Sequence, residues 1–203
     1  MMAKADRQPI VVADAGPLIR LAAAGLLVSL RGLNRRFVLV DRVEDEVIGD
    51  LTKPFAGDVA AWIADMGPAI LRVSTAIGVG IATLKAKQRT KEEDAVLKGA
   101  LRDSGELALR EFLGRWEPTD ASSAVVVYED RKVPPLFLGA DYPITLMTTR
   151  TFARIIESWG INVQAVAALE AISDRYDLKP ALIAEIDPDT PEDLRTLPRP
   201  YQP

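Results

Sequence analysis

The chain reads as an α/β protein, a three-layer α/β/α fold around a central parallel sheet. Three observations predict this. Ala124-Val125-Val126-Val127-Tyr128 is an apolar run without polar alternation, as a strand buried on both faces should be. Ile10-Val11-Val12-Ala13 and Phe37-Val38-Leu39-Val40 are shorter runs of the same kind. Between these runs apolar residues recur at helical spacing, and strands that alternate with helices indicate parallel connections.

Each element follows in order. A first strand is expected over residues 9–13, then a helix from Pro17, whose missing N–H is no loss in a first turn. Leu18, Ala22, Leu26 and Leu30 supply its i, i+4 stripe. Residues 36–40 predict a second strand and 42–48 a short helix. A third helix spans 55–66, with Phe55, Val59, Trp62 and Ile63 facing inward, and 70–73 is a short strand. Residues 79–102, polar and charged, read as a helix or helical hairpin. Residues 105–116 form a helix with Leu109, Leu113 and Trp116 on its apolar face. The strand at 124–128 follows, then a last strand at 144–147 and helices at 152–159 and 163–176.

At 203 residues the chain is long enough for one well-buried core. Residues 1–177 read as that domain. Residues 178–203, punctuated by six prolines (Pro180, Pro188, Pro191, Pro198, Pro200, Pro203) and rich in acids, read as an extended tail. Cysteine is absent, which excludes disulfides, thiolate metal sites and a cysteine nucleophile. Histidine is also absent, which removes the usual base of a Ser-His-Asp triad. A metal must therefore rest on oxygen ligands, which favours Mg²⁺ or Mn²⁺ over zinc. The first residues do not resemble a secretory signal, and the longest apolar stretch, 18–30, is interrupted by Arg20 and too short to span a bilayer. A cytoplasmic address is the expectation. A net charge of −4 argues against a general nucleic-acid coat but permits a local basic rim.

Four carboxylates stand close to the apolar runs: Asp14, Glu46, Glu106 and Asp130. In an open parallel sheet, side chains at the carboxyl ends of the strands meet in one crevice. Two unit charges about 4 Å apart repel by roughly 4 kcal/mol at an effective dielectric of 20, so such a group calls for protons or a cation. Each acid also has a structural account. Asp14 is a turn residue near a helix start, although Gly16 stands nearer the expected cap. Asp41 and Glu44 have capping-box spacing, which leaves Glu46 beside the buried Val43/Val47 stripe. Asp103 and Glu106 have the same spacing, so Glu106 fits a capping box equally well. Asp130, with Glu129, either ends the central strand at a site or opens the loop Asp130-Arg131-Lys132 towards water.

Together the four motifs resemble the PIN domain, the metal-dependent ribonuclease fold used by many toxins of bacterial toxin–antitoxin pairs. The resemblance covers about residues 9–160. It begins with Val12-Ala13-Asp14-Ala15-Gly16-Pro17-Leu18-Ile19, similar to the family's first acidic motif. Val40-Asp41-Arg42-Val43-Glu44-Asp45-Glu46-Val47 matches the second, where the acid precedes an apolar residue, and this selects Glu46. Gly105-Glu106-Leu107-Ala108 is similar to the Gly-Glu motif of one branch. Tyr128-Glu129-Asp130-Arg131-Lys132 looks like that branch's paired acids, with Glu129 in place of the usual first Asp and Asp130 taken as the fourth acid. Thr148-Thr149-Arg150 occupies the place of a small-residue turn. Residues 79–102 and the tail have no counterpart in a minimal domain.

The resemblance implies a Mg²⁺- or Mn²⁺-dependent endoribonuclease. Asp14 and Asp130 would coordinate an ion, Glu46 and Glu106 a second ion or its waters, and Thr148 or Thr149 would bond a metal water or phosphate. Implied partners are RNA, an antitoxin protein and a second copy of the chain. An acidic pocket repels RNA, so basic residues must hold the backbone nearby. Lys85, Lys87, Arg89 and Lys91 are candidates, followed by Arg131, Lys132 and Arg150. The first group also reads as a solvated helix face balanced by Glu92, Glu93 and Asp94. Two rivals differ in class. One is a non-catalytic PIN-like module that binds RNA or a protein. The other is a receiver-type signalling domain, which wants paired acids after the first strand and a later strand-end lysine, neither of which is evident.

Overall fold

In the computed structural model, residues 9–87, 90–116, 123–130, 132–137 and 143–176 are described, the side chains only as far as Ile172. Within them, β1 (Ile10–Ala13), β2 (Phe37–Val40), β3 (Ile70–Val73), β4 (Ala124–Tyr128) and β5 (Ile144–Thr148) form one sheet in the order β3-β2-β1-β4-β5, every pair parallel. All residues of β1, β2 and β4 are buried, so both faces of the sheet centre are covered by helices. This is the expected α/β/α architecture. The tail from residue 178 lies outside the described residues.

The helices are α1 (Ala15–Ala23), α2 (Asp41–Ile48), α3 (Ala56–Met66), α4 (Ala76–Ala86), α5 (Lys91–Leu101), α6 (Ser104–Arg115), α7 (Val133–Leu136), α8 (Thr149–Ser158) and α9 (Ala165–Tyr176). The stretch 79–102 thus holds most of two helices, and α7 arises where no element was expected. The single stripe from Leu18 to Leu30 is corrected too, because α1 stops at Ala23. Gly25 takes a left-handed φ of 67°, its N–H donating to Ala22 O (2.9 Å) while Leu26 N donates to Leu21 O (2.8 Å). That pair of bonds is the Schellman stop, for which glycine suits the left-handed position. The chain then turns into a 3₁₀ segment, Leu27–Leu33, and Leu26 and Leu30 are buried outside α1.

The start of α2 also differs from expectation. Asp41 lies inside the helix, and its carboxylate accepts from Arg42 N, Thr75 N and Thr75 Oγ1, each at 2.8 Å. Glu44 pairs with Arg72 at 3.2 Å instead of closing a box. Asp41 therefore ties α2 to Thr75, the N-cap of α4, whose hydroxyl in turn accepts from Gly78 N (2.9 Å). A methyl group at position 78 would meet Asp41 Oδ2 at 2.0 Å, and this short, triply bonded carboxylate has no room to withdraw. Gly78→Ala should therefore destabilise the chain by about 1–3 kcal/mol, read as a lower urea midpoint. An unchanged midpoint would show that the Asp41–Thr75 junction carries little.

Candidate functional site

Strand order reverses between β1 and β4, since β1 leads outward through β2 and β3 while β4 leads outward through β5. A crevice opens outside the carboxyl ends of strands at such a switch point. Asp14 follows β1 directly, and its N–H donates to Val127 O of β4 (3.1 Å). It holds the N-cap position of α1 without any side-chain capping bond, so its carboxylate is left for the crevice. Only 9% of it is exposed. Glu129 and Asp130 follow β4, Glu46 comes from α2, and Glu106 from the first turn of α6. All five acids line one cavity of about 700 Å³, with Arg20 of α1.

Gly105 is what lets α6 close over this group. A methyl group there would lie 2.9 Å from Glu46 Oε2 and 3.6 Å from Asp14 Oδ1. The two carboxylates thus approach the same face of the α6 N-terminus. The capping box expected for Asp103 and Glu106 is not formed. Asp103 sits in the left-handed region (φ 57°) without a capping bond, and its carboxylate pairs with Lys132 Nζ at 2.8 Å. Glu106 therefore points its charge at the cavity.

The acids perturb one another. Burial, followed by Glu46, Asp130 and Glu129, pushes Asp14 up to about 6, against an opposing hydrogen bond from the Ala15 backbone. Burial, then Asp14 and Asp130, pushes Glu106 up to about 7. Glu46 is exposed along much of its length, yet desolvation raises its carboxyl, opposed by Arg42 and Lys53. Glu129 is raised by burial, opposed by Thr149 and Arg20.

Glu129 differs from the other four in being fully engaged. Arg20 Nε donates to its Oε2, and Thr149 Oγ1 donates to its Oε1 at 2.6 Å. Asp130 accepts only from the backbone N–H of Lys132 (2.9 Å) among the side-chain bonds described. Of the two threonines expected to face a phosphate, Thr149 is thus turned to Glu129. Thr148 caps α8, accepting from Thr151 N at 3.2 Å. Arg20 was missed in the sequence, where it stood out only as a charge inside the longest apolar run.

The basic candidates are scattered. Lys85 pairs with Asp45 (3.2 Å), Arg150 with Glu170 (2.7 Å), and Lys132 with Asp103. Lys87 is exposed at the end of α4 and Lys91 opens α5. None of these five lines the cavity. Arg89 and Arg131 lie outside the described residues. Of the remaining cations, Arg102 lines the cavity, and Lys53 acts on Glu46 as Lys132 acts on Glu106.

Among the described residues, no three acids are disposed to hold one ion between them as they stand. The donor set is nevertheless all carboxylate oxygen, and Asp14 and Glu46 converge beside Gly105. Mg²⁺ keeps several of its waters and binds through one or two carboxylates together with substrate phosphates, so these residues fit a hydrated hard cation. Neither protein-family models, curated proteins nor solved structures yield a match to the chain. What fold and site define together is an all-parallel α/β domain with an acidic cleft at its topological switch.

Raised carboxyl pKa values make the folded chain hold protons that the unfolded chain has released. With chelator present, stability should therefore fall as pH rises from about 4 to 7. Asp14→Asn removes the buried charge and should gain about 2–3 kcal/mol at pH 7.5, shrinking below about 1 kcal/mol near pH 4. Urea midpoints at the two pH values measure this, and a variant less stable than the parent at pH 7.5 would contradict the crowding.

Proposed function

We propose that this chain is a PIN-like, metal-dependent endoribonuclease that hydrolyses RNA phosphodiester bonds with Mg²⁺ or Mn²⁺. The observation that supports it most is that Asp14, Glu46, Glu106 and Asp130, from four separate parts of the sequence, line one cavity at the β1/β4 switch. Asp14, directly after β1, and Asp130, two residues after the paired β4, are the ligands of the first ion. Glu46 and Glu106 hold a second ion or the water shell of the first. Bound there, the ion would activate water for in-line attack and offset charge building on the phosphate. Glu106, from the first turn of α6, brings its carboxylate to the same cavity. Arg20 and Thr149 hold Glu129 to one side, which leaves Asp130 as the fourth acid.

If the chain is the toxin of a toxin–antitoxin pair, its antitoxin should cover the cleft and place a basic side chain among the acids. Among the described residues, no single helix is long and apolar enough to cross a membrane. The spread of the acids favours a second reading, a non-catalytic PIN-like module that binds RNA or a protein. The two separate in a ribonuclease assay with Mg²⁺, Mn²⁺ or chelator. On the first reading cleavage needs the metal, and Asp14→Asn lowers it at least ~100-fold, the loss of several kcal/mol of transition-state stabilisation. Full activity in that folded variant would end the nuclease assignment, and RNA binding without any Mn²⁺-dependent cleavage would favour the module.

A further inference from the structure

An acidic cavity that takes an anionic strand needs a cation at its mouth that the protein's own acids do not already hold. The junction between α5 and α6 supplies one. Arg102 ends α5 in an extended conformation (φ −66°, ψ 137°), and Asp103 then turns the chain through the left-handed region into α6. The turn is fixed from below. Ser104 Oγ donates to Leu101 O (2.9 Å) and accepts from Nε of the buried Arg42 (3.1 Å), while Lys132 holds Asp103 from the β4 side. Arg102 is thereby set on a rigid corner that itself lines the cavity.

The lining carries two arginines, and their situations differ. Arg20 is mostly buried and engaged with Glu129. Arg102 is exposed and has no ion-pair or hydrogen-bond partner for its side chain among the described residues. Lys132, whose charge also acts on Glu106, is neutralised by Asp103. The described lining offers no aromatic ring on which a base could stack, so the grip available is on phosphate. Asp14, nearly buried on the cavity floor, is reached by a strand that can bend inward.

We infer that Arg102 is the phosphate-binding residue of the cleft, holding the backbone of a single-stranded RNA at the mouth while a neighbouring linkage reaches the acids. This rests on the nuclease reading for its substrate and gives the 79–102 segment a role, since that segment carries Arg102 to the cavity. A guanidinium suits this position because it bonds phosphate through two parallel N–H groups.

The test compares Arg102→Gln, Arg102→Lys and the control Lys98→Gln, an exposed lysine on the same helix that does not line the cavity. With a short single-stranded RNA and Mn²⁺, Arg102→Gln should raise KM about tenfold with kcat within about twofold, whereas Lys98→Gln should match the parent. Arg102→Lys should recover part of the loss. In the Asp14→Asn background, binding of the same fluorescent RNA should lose about 0.7 from its log–log salt slope when Arg102 is also Gln. Equal KM values and equal salt slopes in the Arg102 and Lys98 variants would overturn the assignment while leaving the nuclease reading intact. If the parent cleaves no RNA, the nuclease reading fails by itself, and the salt slope alone decides whether Arg102 binds phosphate.

Discussion

The pairing of β1 with β4 is the constraint on which the rest of this molecule depends. Four consecutive residues of each strand lie in register, from Ile10 opposite Ala124 to Ala13 opposite Val127. The residues that follow both strands therefore leave the sheet side by side. Asp14 cannot move from Glu129 and Asp130 without breaking this ladder. A slip of one residue would turn every β1 side chain to the opposite face of the sheet and take Asp14 out of its bond with Val127. The site is in this sense a product of the sheet, with α2 and α6 bringing Glu46 and Glu106 up to it.

Such a placement is unfavourable for the fold taken alone. Burial and mutual repulsion both disfavour the charged forms of Asp14 and Glu106. The chain relieves two of the six acids in the cavity lining internally, since Glu129 is matched by Arg20 and Thr149 and Asp103 by Lys132. Asp14 and Glu106 stay raised by burial and their acidic neighbours, although Lys132 opposes the shift of Glu106, and Arg42 and Lys53 oppose that of Glu46. Such partial neutralisation is compatible with a site that takes an external cation. A merely structural acid cluster would be expected to carry matching arginines throughout. This asymmetry, more than the number of acids, supports the metal-dependent reading proposed above.

The sheet was largely legible in the sequence because a parallel core strand buried on both faces has a simple signature, an unbroken apolar run. β1, β2 and β4 stand where such runs do, while the edge strands β3, broken by Arg72, and β5, broken by Thr145, carry a weaker form of the signal and are only partly buried. Helix boundaries were read less well where a short-range rule had a long-range competitor. Asp41 and Asp103 have capping-box spacing to Glu44 and Glu106, yet Thr75 and Lys132, distant in sequence, take those carboxylates instead. The stripe through Leu26 and Leu30 kept a helical period across Gly25, and periodicity alone cannot tell a helix from a turn that buries the same residues. Within the site, Asp14 and Asp130 could be named because they stand at the ends of apolar runs, and Glu46 and Glu106 through the motifs they share with the PIN resemblance. Arg20, Gly105 and Arg102 could not, since their roles exist only once β1, α2 and α6 meet.

The charge arrangement also constrains how any anionic strand must approach. Lys85, Arg150 and Lys132 are each paired to a neighbouring acid, while Lys91, Lys98 and Arg110 stand exposed on α5 and α6 outside the cavity lining. Non-specific adhesion of nucleic acid to this surface should be weak, in keeping with the net charge of −4. A ligand that binds here must draw its affinity from a few points at the cleft: Arg102 at the mouth, Lys53 beside Glu46, and a cation seated among the acids. The ion then has two tasks under the proposed function, since it both relieves the crowding of Asp14 and its neighbours and turns a repulsive cavity into one that accepts phosphate. Without it the acids of the floor oppose whatever Arg102 attracts, so metal and strand should bind cooperatively, each favouring the other by the same factor.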